Sequence, residues 1–579
     1  MVKHEDIDDI KALLIKIYGE KQGTEAFNRI LPKIEAFPAR KATPGGYYSQ
    51  QDVILITYGD SLLKKGDMPL AAFEDIAKRH LKDIIPTIHF LPFFPFSSDD
   101  GFSVMDYYAV NPELGTWENV KSIAKDFRLM FDFVINHYSS KSEWFKNYLE
   151  EKEGFKEFAI EVDPSVDLSL VVRPRSHPLL TEFKKKNGKT VHVWTTFSAD
   201  QIDFNYRSLD VFEKIVEILL FYVKQGACLL RLDAVGFLWK EIGTTCMHLP
   251  QTHNMVKVFR KILDVVAPDV ILVTETNVPH EENISYFGNG RDEAQMVYNF
   301  PLPPLLFYTF IKEDATVLSK WAKGLHLPSD YTTFINFTAS HDGIGLRPLE
   351  GILPQEEIDR MTDIVKANGG KVSCRVKPDG SQTPYELNIT YVDAILADIN
   401  SDRAEKFLAS QAVQYVLPGV PATYIHSLLG SRNWTEGVKQ TGQPRTINRE
   451  KLYSEDVLSE LRNPESFRSR IFFPYIEMIK TRRKQPAFHP NAGFEILDID
   501  RKVFAIKRFS EEQTIYALTN ISSEPVSISL SNYGCCSQTL DVLSGKKFDA
   551  DSIKIKPYQY IWLSNIEKLS LKPTGDCLH

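Results

Sequence analysis

Apolar residues recur along the chain in short runs separated by stretches of helical periodicity, and this rhythm predicts most of the fold. Ile7, Ile10, Leu13, Leu14 and Ile17 share one face at helical spacing, so residues 1–50 open as a helical extension, broken at its end by PGGYYSQQ. VILITYGDSL (53–62) reads as a buried strand, followed by a helical pattern at about 70–82 and the apolar IIPTIHFLPFFPF (84–96). A helix capped by Thr116 then places Trp117, Val120, Ile123, Ala124 and Phe127 on one face, before a third strand, RLMFDFVINH (128–137). The rhythm lapses over 138–198, which is rich in charge, proline and lysine and suggests an inserted subdomain. It resumes with a helix over 208–225, stopped by Gly226, and with ACLLRLDAVG (227–236), VILVTET (270–276), QMVYNF (295–300), TFINFTASHD (333–342) and ATYIHSL (422–428).

Eight buried-type strands with helices between them predict an α/β fold, a (β/α)8 barrel over 51–137 and 199–490. Inserted subdomains are expected after strand 3 (138–198) and after strand 7 (343–400). From 491 the period changes to two. KVFAIKRF, TIYALTNIS, PVSISLS and SIKIKPYQYIWL predict an all-β C-terminal domain over 491–566, followed by a tail at 567–579.

Composition narrows the partners. The 579 residues are 43% hydrophobic and 25% charged, with 68 basic against 76 acidic side chains and a net charge of −8, which offers no footprint for a polyphosphate backbone, so no nucleic-acid partner is expected. The N-terminal MVKHEDIDDIKALL has no uninterrupted apolar core of a signal peptide. FPLPPLLFYTFI (300–311) is shorter than the ~20 residues a spanning helix needs, so no membrane partner is expected either. Cys228, Cys246, Cys374, Cys535, Cys536 and Cys577 form neither a disulfide framework nor a CxxC pair. A cytoplasmic enzyme is the expectation, with an oligomer left open.

In a barrel of this type chemistry sits at the C-terminal ends of the strands. The third strand ends in Asp132, Asn136 and His137, the fourth in Arg231 and Asp233, the fifth in Glu275 and the seventh in His341 and Asp342. Spacing of two puts Arg231 and Asp233 on one face of their strand. Each feature alone also fits a loop anchor or a structural salt bridge; together they fit glycosyl transfer. A retaining reaction needs a carboxylate nucleophile and a carboxylic acid about 5–5.5 Å away, and neighbouring strands four and five can supply the pair. Arg231 would hold Asp233 ionised, and Asp342 would stabilise the developing oxocarbenium charge.

FDFVINH (131–137), RLDAVG (231–236), VTET (273–276) and ASHDG (339–343) resemble the four short motifs of the α-amylase clan, glycoside hydrolase family 13. LPFFPFSSDDGFSVMDY (91–107), WTTFSADQIDFNY (194–206), NFPLPPLLF (299–307), SHDGIGL (340–346) and PGVPATYIHSLLGSRN (418–433) resemble its sucrose phosphorylase subfamily. Within that subfamily the helical extension, RPRSHPLLTEF (173–183), GTTCMHLPQTH (243–253), TETNVPHEENISYFGNG (274–290) and KPDGSQTPYELNITY (377–391) are most similar to the glucosylglycerate phosphorylases. The resemblance implies retaining phosphorolysis of a glucoside through a covalent glucosyl-enzyme: Asp233 as nucleophile, Glu275 as acid/base and Asp342 as transition-state stabiliser. His137, Arg231 and His341 would line the glucosyl subsite. Asp99 and Arg445 would bind the far hydroxyls of glucose, Phe102 would form an apolar platform, and Gln201 would touch the acid/base region. Asp132 would take part or only brace its strand.

Phosphate entering a dry site must be paired with cations or donors. Arg173 and Arg175 in the first insertion and Tyr385 in the second are candidates, and the resemblance selects Arg175 and Tyr385. Asn277, two residues past Glu275, matches an acceptor-side position. No P-loop, dinucleotide fingerprint or HExxH is present. The resemblance implies inorganic phosphate as a substrate, with no cofactor and no metal. Rival expectations are sucrose or sucrose 6-phosphate as the donor, a plain hydrolase, or a non-catalytic carbohydrate-binding barrel.

Overall fold

The computed structural model describes residues 4–40, 46–376 and 382–565; the expected tail at 567–579 lies outside them. Eight short parallel strands close into a barrel: β1 (Ile54–Thr57), β2 (Thr87–Phe90), β3 (Arg128–Val134), β4 (Ala227–Asp233), β5 (Ile271–Thr274), β6 (Met296–Tyr298), β7 (Thr333–Phe337) and β8 (Val420–Tyr424). Each pairs with its neighbours in the sequence of strands, and β8 closes on β1 with Ala422 opposite Ile54. All eight apolar runs picked out by periodicity are these strands. Their residues are almost wholly buried, as expected of parallel strands wrapped by helices.

The helical positions follow equally local chemistry. Thr116 and Asn119 form a capping box at the start of Trp117–Ile123. Leu209–Lys224 buries its apolar face on the barrel and ends before Gly226, whose φ of +106° lets the chain turn into β4.

The N-terminal extension is a pair of helices, α1 (His4–Tyr18) and α2 (Glu20–Glu35), lying on the outside of the barrel. α2 is tied to Leu209–Lys224 by Arg29–Asp210 at 2.7 Å and Lys33–Glu217 at 2.9 Å, and α1 to the helix Pro250–Val266 by Lys261–Asp9 at 2.7 Å. Ile10, Leu14 and Ile17 are buried beneath.

Two insertions rise over the C-terminal mouth. In the first, His137–Ser139 pairs antiparallel with Gln201–Asp203, with His137 opposite Asp203, and a hairpin joins Leu180–Lys184 to Thr190–Trp194. In the second, Ile344–Gly345 and Lys371–Val376 flank Gln382–Asn388. The C-terminal domain is a six-stranded antiparallel sheet plus a two-stranded pair around its own core, including Tyr516, Leu518, Ile553 and Leu563. Trp562 packs on Phe488, and Arg508 donates to the Val416 carbonyl at 2.8 Å, fastening that sheet to the barrel.

Candidate active site

Strand register assembles the centre. β3 and β4 set Asp132 beside Arg231 and Val134 beside Asp233, and β4 and β5 set Leu232 beside Thr274, so Glu275 emerges one residue later at the same level. Arg231 Nη1 donates to Asp233 Oδ1 at 2.8 Å and also to Asp132, while Nη2 lies 3.9 Å from Glu275 Oε2. Asp132 is fully buried, with its other oxygen 2.9 Å from His89 Nε2. It stands behind the cavity and anchors Arg231. Directly after Asp233, Ala234 adopts φ 50°, ψ 32°, a left-handed conformation that costs a non-glycine residue of order 1 kcal/mol. That turn aims the Ala234 N–H at Glu275 Oε2, 3.1 Å away.

The strand-7 end supplies the opposite wall. Arg445 Nη1 is 2.5 Å from Asp342 Oδ1 and grips Glu386 through Nε at 2.9 Å and Nη2 at 2.7 Å. The Phe102 ring stacks on His341 with centroids 4.6 Å apart, and the Arg231 guanidinium carbon lies 5.6 Å from the Phe102 centroid. His137 Nε2 is 3.0 Å from the Phe102 carbonyl, and Gln201 donates to Asp99 Oδ2 at 3.3 Å. Asp99 itself sits at φ 55°, another left-handed residue at the mouth.

Asp99, Phe102, His137, Gln201, Arg231, Asp233, Glu275, Asn277, His341, Asp342, Tyr385 and Arg445 all line one cavity, together with Arg175. The Arg175 guanidinium carbon lies 5.9 Å from the Phe197 ring centroid and 5.7 Å from that of Tyr385. Arg173 turns away and donates to the His177 carbonyl within its own loop. Asn277 packs against Gly345, where any Cβ would collide with its amide.

Burial dominates the electrostatics. It pushes Asp233 and Glu275 above the ordinary carboxylate range, with Arg231 opposing the rise in both. Burial also works against Asp342, Glu386 and Asp132, but arginines outweigh it: Arg445 and Arg449 hold Asp342 down, Arg445 holds Glu386 down, and Arg231 with His89 holds Asp132 down. His137 and His341 are driven toward their neutral forms, by burial first. The cavity therefore sets a raised carboxyl pair on one side and a firmly ionised Asp342 on the other. That polarity suits a reaction in which a proton moves on the first side while positive charge develops between them.

Several contributors escape sequence reasoning. Glu386 follows Tyr385 but nothing in the local pattern distinguishes it from a surface glutamate; only the fold brings it under Arg445. Arg449, in the same short string as Arg445, donates to the His341 carbonyl at 2.8 Å and pairs with Asp100. Lys240 is buried and bridges Asp203 at 2.5 Å and Asn136 at 2.8 Å, stiffening the base of the first insertion. Among the described residues no group of three or more His, Cys, Asp and Glu is arranged to hold a metal ion. Nor is any described helix long and apolar enough to cross a membrane.

A closed parallel barrel with carboxylates at the ends of strands four, five and seven and an arginine two residues before the first defines an α-amylase-type catalytic domain. The family described as "Alpha amylase, catalytic domain" matches residues 79–335, and "Maltogenic Amylase, C-terminal domain" matches 494–562. Over 530 residues the chain is 48% identical to a glucosylglycerate phosphorylase of Spirochaeta thermophila, covering 90% of each. It is 44% identical to one of Escherichia coli K12, covering 89% of this chain and 92% of that one. A sucrose phosphorylase of Streptococcus mutans is 26% identical over 81% of this chain and 95% of its own. In three dimensions a sucrose 6F-phosphate phosphorylase from Thermoanaerobacter thermosaccharolyticum aligns with a TM-score of 0.73 at 24% identity, over 87% of this chain and 98% of that one. The chain belongs to the glucosylglycerate phosphorylase family.

Proposed function

We propose that this protein catalyses the reversible phosphorolysis of 2-O-α-glucosylglycerate to α-glucose 1-phosphate and glycerate, with retention at the anomeric carbon. The observation that carries the reading is near-full-length identity of 44–48% to curated glucosylglycerate phosphorylases. The site's own chemistry supports it: three carboxylates share one cavity with a guanidinium, Arg175, that has no carboxylate or carbonyl partner among the described residues.

In the first displacement Asp233 attacks the anomeric carbon as the bond to the glycerate oxygen breaks and Glu275 gives that oxygen its proton. Arg231 distinguishes the two acids. It contacts Asp233 at 2.8 Å and Glu275 only at 3.9 Å, so of the two raised carboxyls it favours the charged form of Asp233 the more strongly, as the nucleophile and acid roles require. Asp342, held ionised by Arg445, faces the oxocarbenium-like charge. In the second displacement phosphate enters beside Arg175 and Tyr385. A phosphate oxygen attacks the anomeric carbon, the bond to Asp233 breaks, and any proton released passes to Glu275. The chemistry calls on no cofactor, phosphate being a substrate, and we place the enzyme in the cytoplasm, acting on small molecules.

The test is glucose 1-phosphate release from inorganic phosphate with glucosylglycerate, sucrose, sucrose 6-phosphate and glucosylglycerol in parallel. Strong release from glucosylglycerate alone is expected. Release only from a sucrose would overturn the acceptor; free glucose without glucose 1-phosphate would overturn phosphorolysis.

A further inference from the structure

The reaction proposed above handles two anions, phosphate and a hydroxy acid, and the cavity holds a cation for each. Four arginines line it: Arg175, Arg231, Arg347 and Arg445. Arg231 is committed to Asp132 and Asp233, and Arg445 to Asp342 and Glu386. Arg175, against Tyr385, is matched to phosphate. Arg347 is left.

Its surroundings describe a cation awaiting a partner. The side chain is only 16% exposed, and its nearest carboxylate, Glu282, is 3.7 Å away and 44% exposed. Arg347 Nε is buried with no hydrogen-bond partner among the described residues, and Nη1 reaches only the Met247 sulfur at 4.0 Å. A nearly buried guanidinium with that much donor capacity unspent is costly unless a ligand supplies acceptors.

Its position identifies the ligand. Arg347 begins the short turn after Ile344–Gly345, and the preceding Leu346 N–H donates to the Tyr385 carbonyl at 3.0 Å. Gly345 is the residue against which Asn277 packs, and Asn277 is two residues past Glu275. Arg347 thus flanks the side from which Glu275 protonates the leaving group. Its guanidinium fork matches a carboxylate in two parallel N–H···O bonds.

We infer that Arg347 holds the carboxylate of glycerate and selects this acid over neutral acceptors of the same size. The inference rests on the phosphorylase reading.

The experiment runs in the synthetic direction, with glucose 1-phosphate and glycerate, glycerol or fructose as acceptor, on the wild type, R347Q and R347K. In R347Q the glycerate-to-glycerol ratio of kcat/KM falls at least about tenfold, the scale of a lost charge-assisted contact. In R347K, which keeps the charge and loses the fork, it falls by less; that variant carries the test if R347Q does not fold. An unchanged ratio in a folded variant overturns the inference. So does a rise in the KM for glucose 1-phosphate as large as that for glycerate, which would make Arg347 a general anion guide. A wild type that transfers glucose to fructose but not to glycerate would instead overturn the phosphorylase reading, and this inference with it.

Discussion

Arg231 Nη1 donates to Asp233 Oδ1 at 2.8 Å, from two positions earlier on the same strand. Burial and three neighbouring carboxylates lift Asp233, and Arg231 is the main force pulling it down. The nucleophile must be ionised to attack. Arg231→Gln is therefore expected to raise its pKa further and move the acid limb of the kcat/KM profile to higher pH. A pH–rate profile checks the sign; a limb that stays put would mean that Arg231 does not control the nucleophile.

Glu275 gives up its proton only when the leaving group needs one. Glu275→Gln should lower phosphorolysis of glucosylglycerate by about a hundredfold or more. Formation of the glucosyl-enzyme from α-glucosyl fluoride, whose leaving group departs unprotonated, should fall far less. Stopped-flow measurement of fluoride release compares the two. Equal losses would remove Glu275 from the acid role.

Asp132 anchors rather than reacts. Its pKa is lowered in the folded protein, so the stability it contributes is complete above the ordinary aspartate value of about 3.9 and is lost as pH falls through the lower folded value. Asp132→Asn should cost on the order of 3 kcal/mol at pH 7, because it strips one partner from a buried guanidinium. The gap to the wild type should close in acid. Urea midpoints between pH 7 and 3 measure it.

Gly345 makes room for Asn277. Gly345→Ala places a methyl group against the Asn277 amide, which must move. The overpacking should cost about 1–3 kcal/mol and raise the KM for glycerate more than that for glucose 1-phosphate. Initial-rate kinetics in the synthetic direction, with thermal unfolding alongside, separates the two effects.

The barrel was legible because each of its strands is a short, mostly apolar run, and β4 shows best what interrupts it. ACLLRLDAVG interrupts its apolar run only with Arg231 and Asp233, so the residues that break the pattern are those facing the cavity. The pairing of Arg231 with Asp132 was not legible, since it depends on the β3–β4 register, which no local spacing encodes. The second insertion hid most. Glu386 and Arg347 lie on a small antiparallel sheet and its turn, where charged residues ordinarily face water; only the fold brings Arg445 onto Glu386 and sets Arg347 at the cavity wall. The left-handed Ala234 also left no signal, since alanine has no preference for that conformation.

Double displacement through Asp233 is tested most directly by isotope exchange. With labelled phosphate and α-glucose 1-phosphate, and no glycerate present, the wild type should move label into the sugar phosphate. The glucosyl-enzyme forms and is resolved by phosphate without an acceptor. Asp233→Ala should lose exchange by more than about a thousandfold while keeping its thermal midpoint. Net phosphorolysis by the wild type without any exchange would contradict the covalent intermediate.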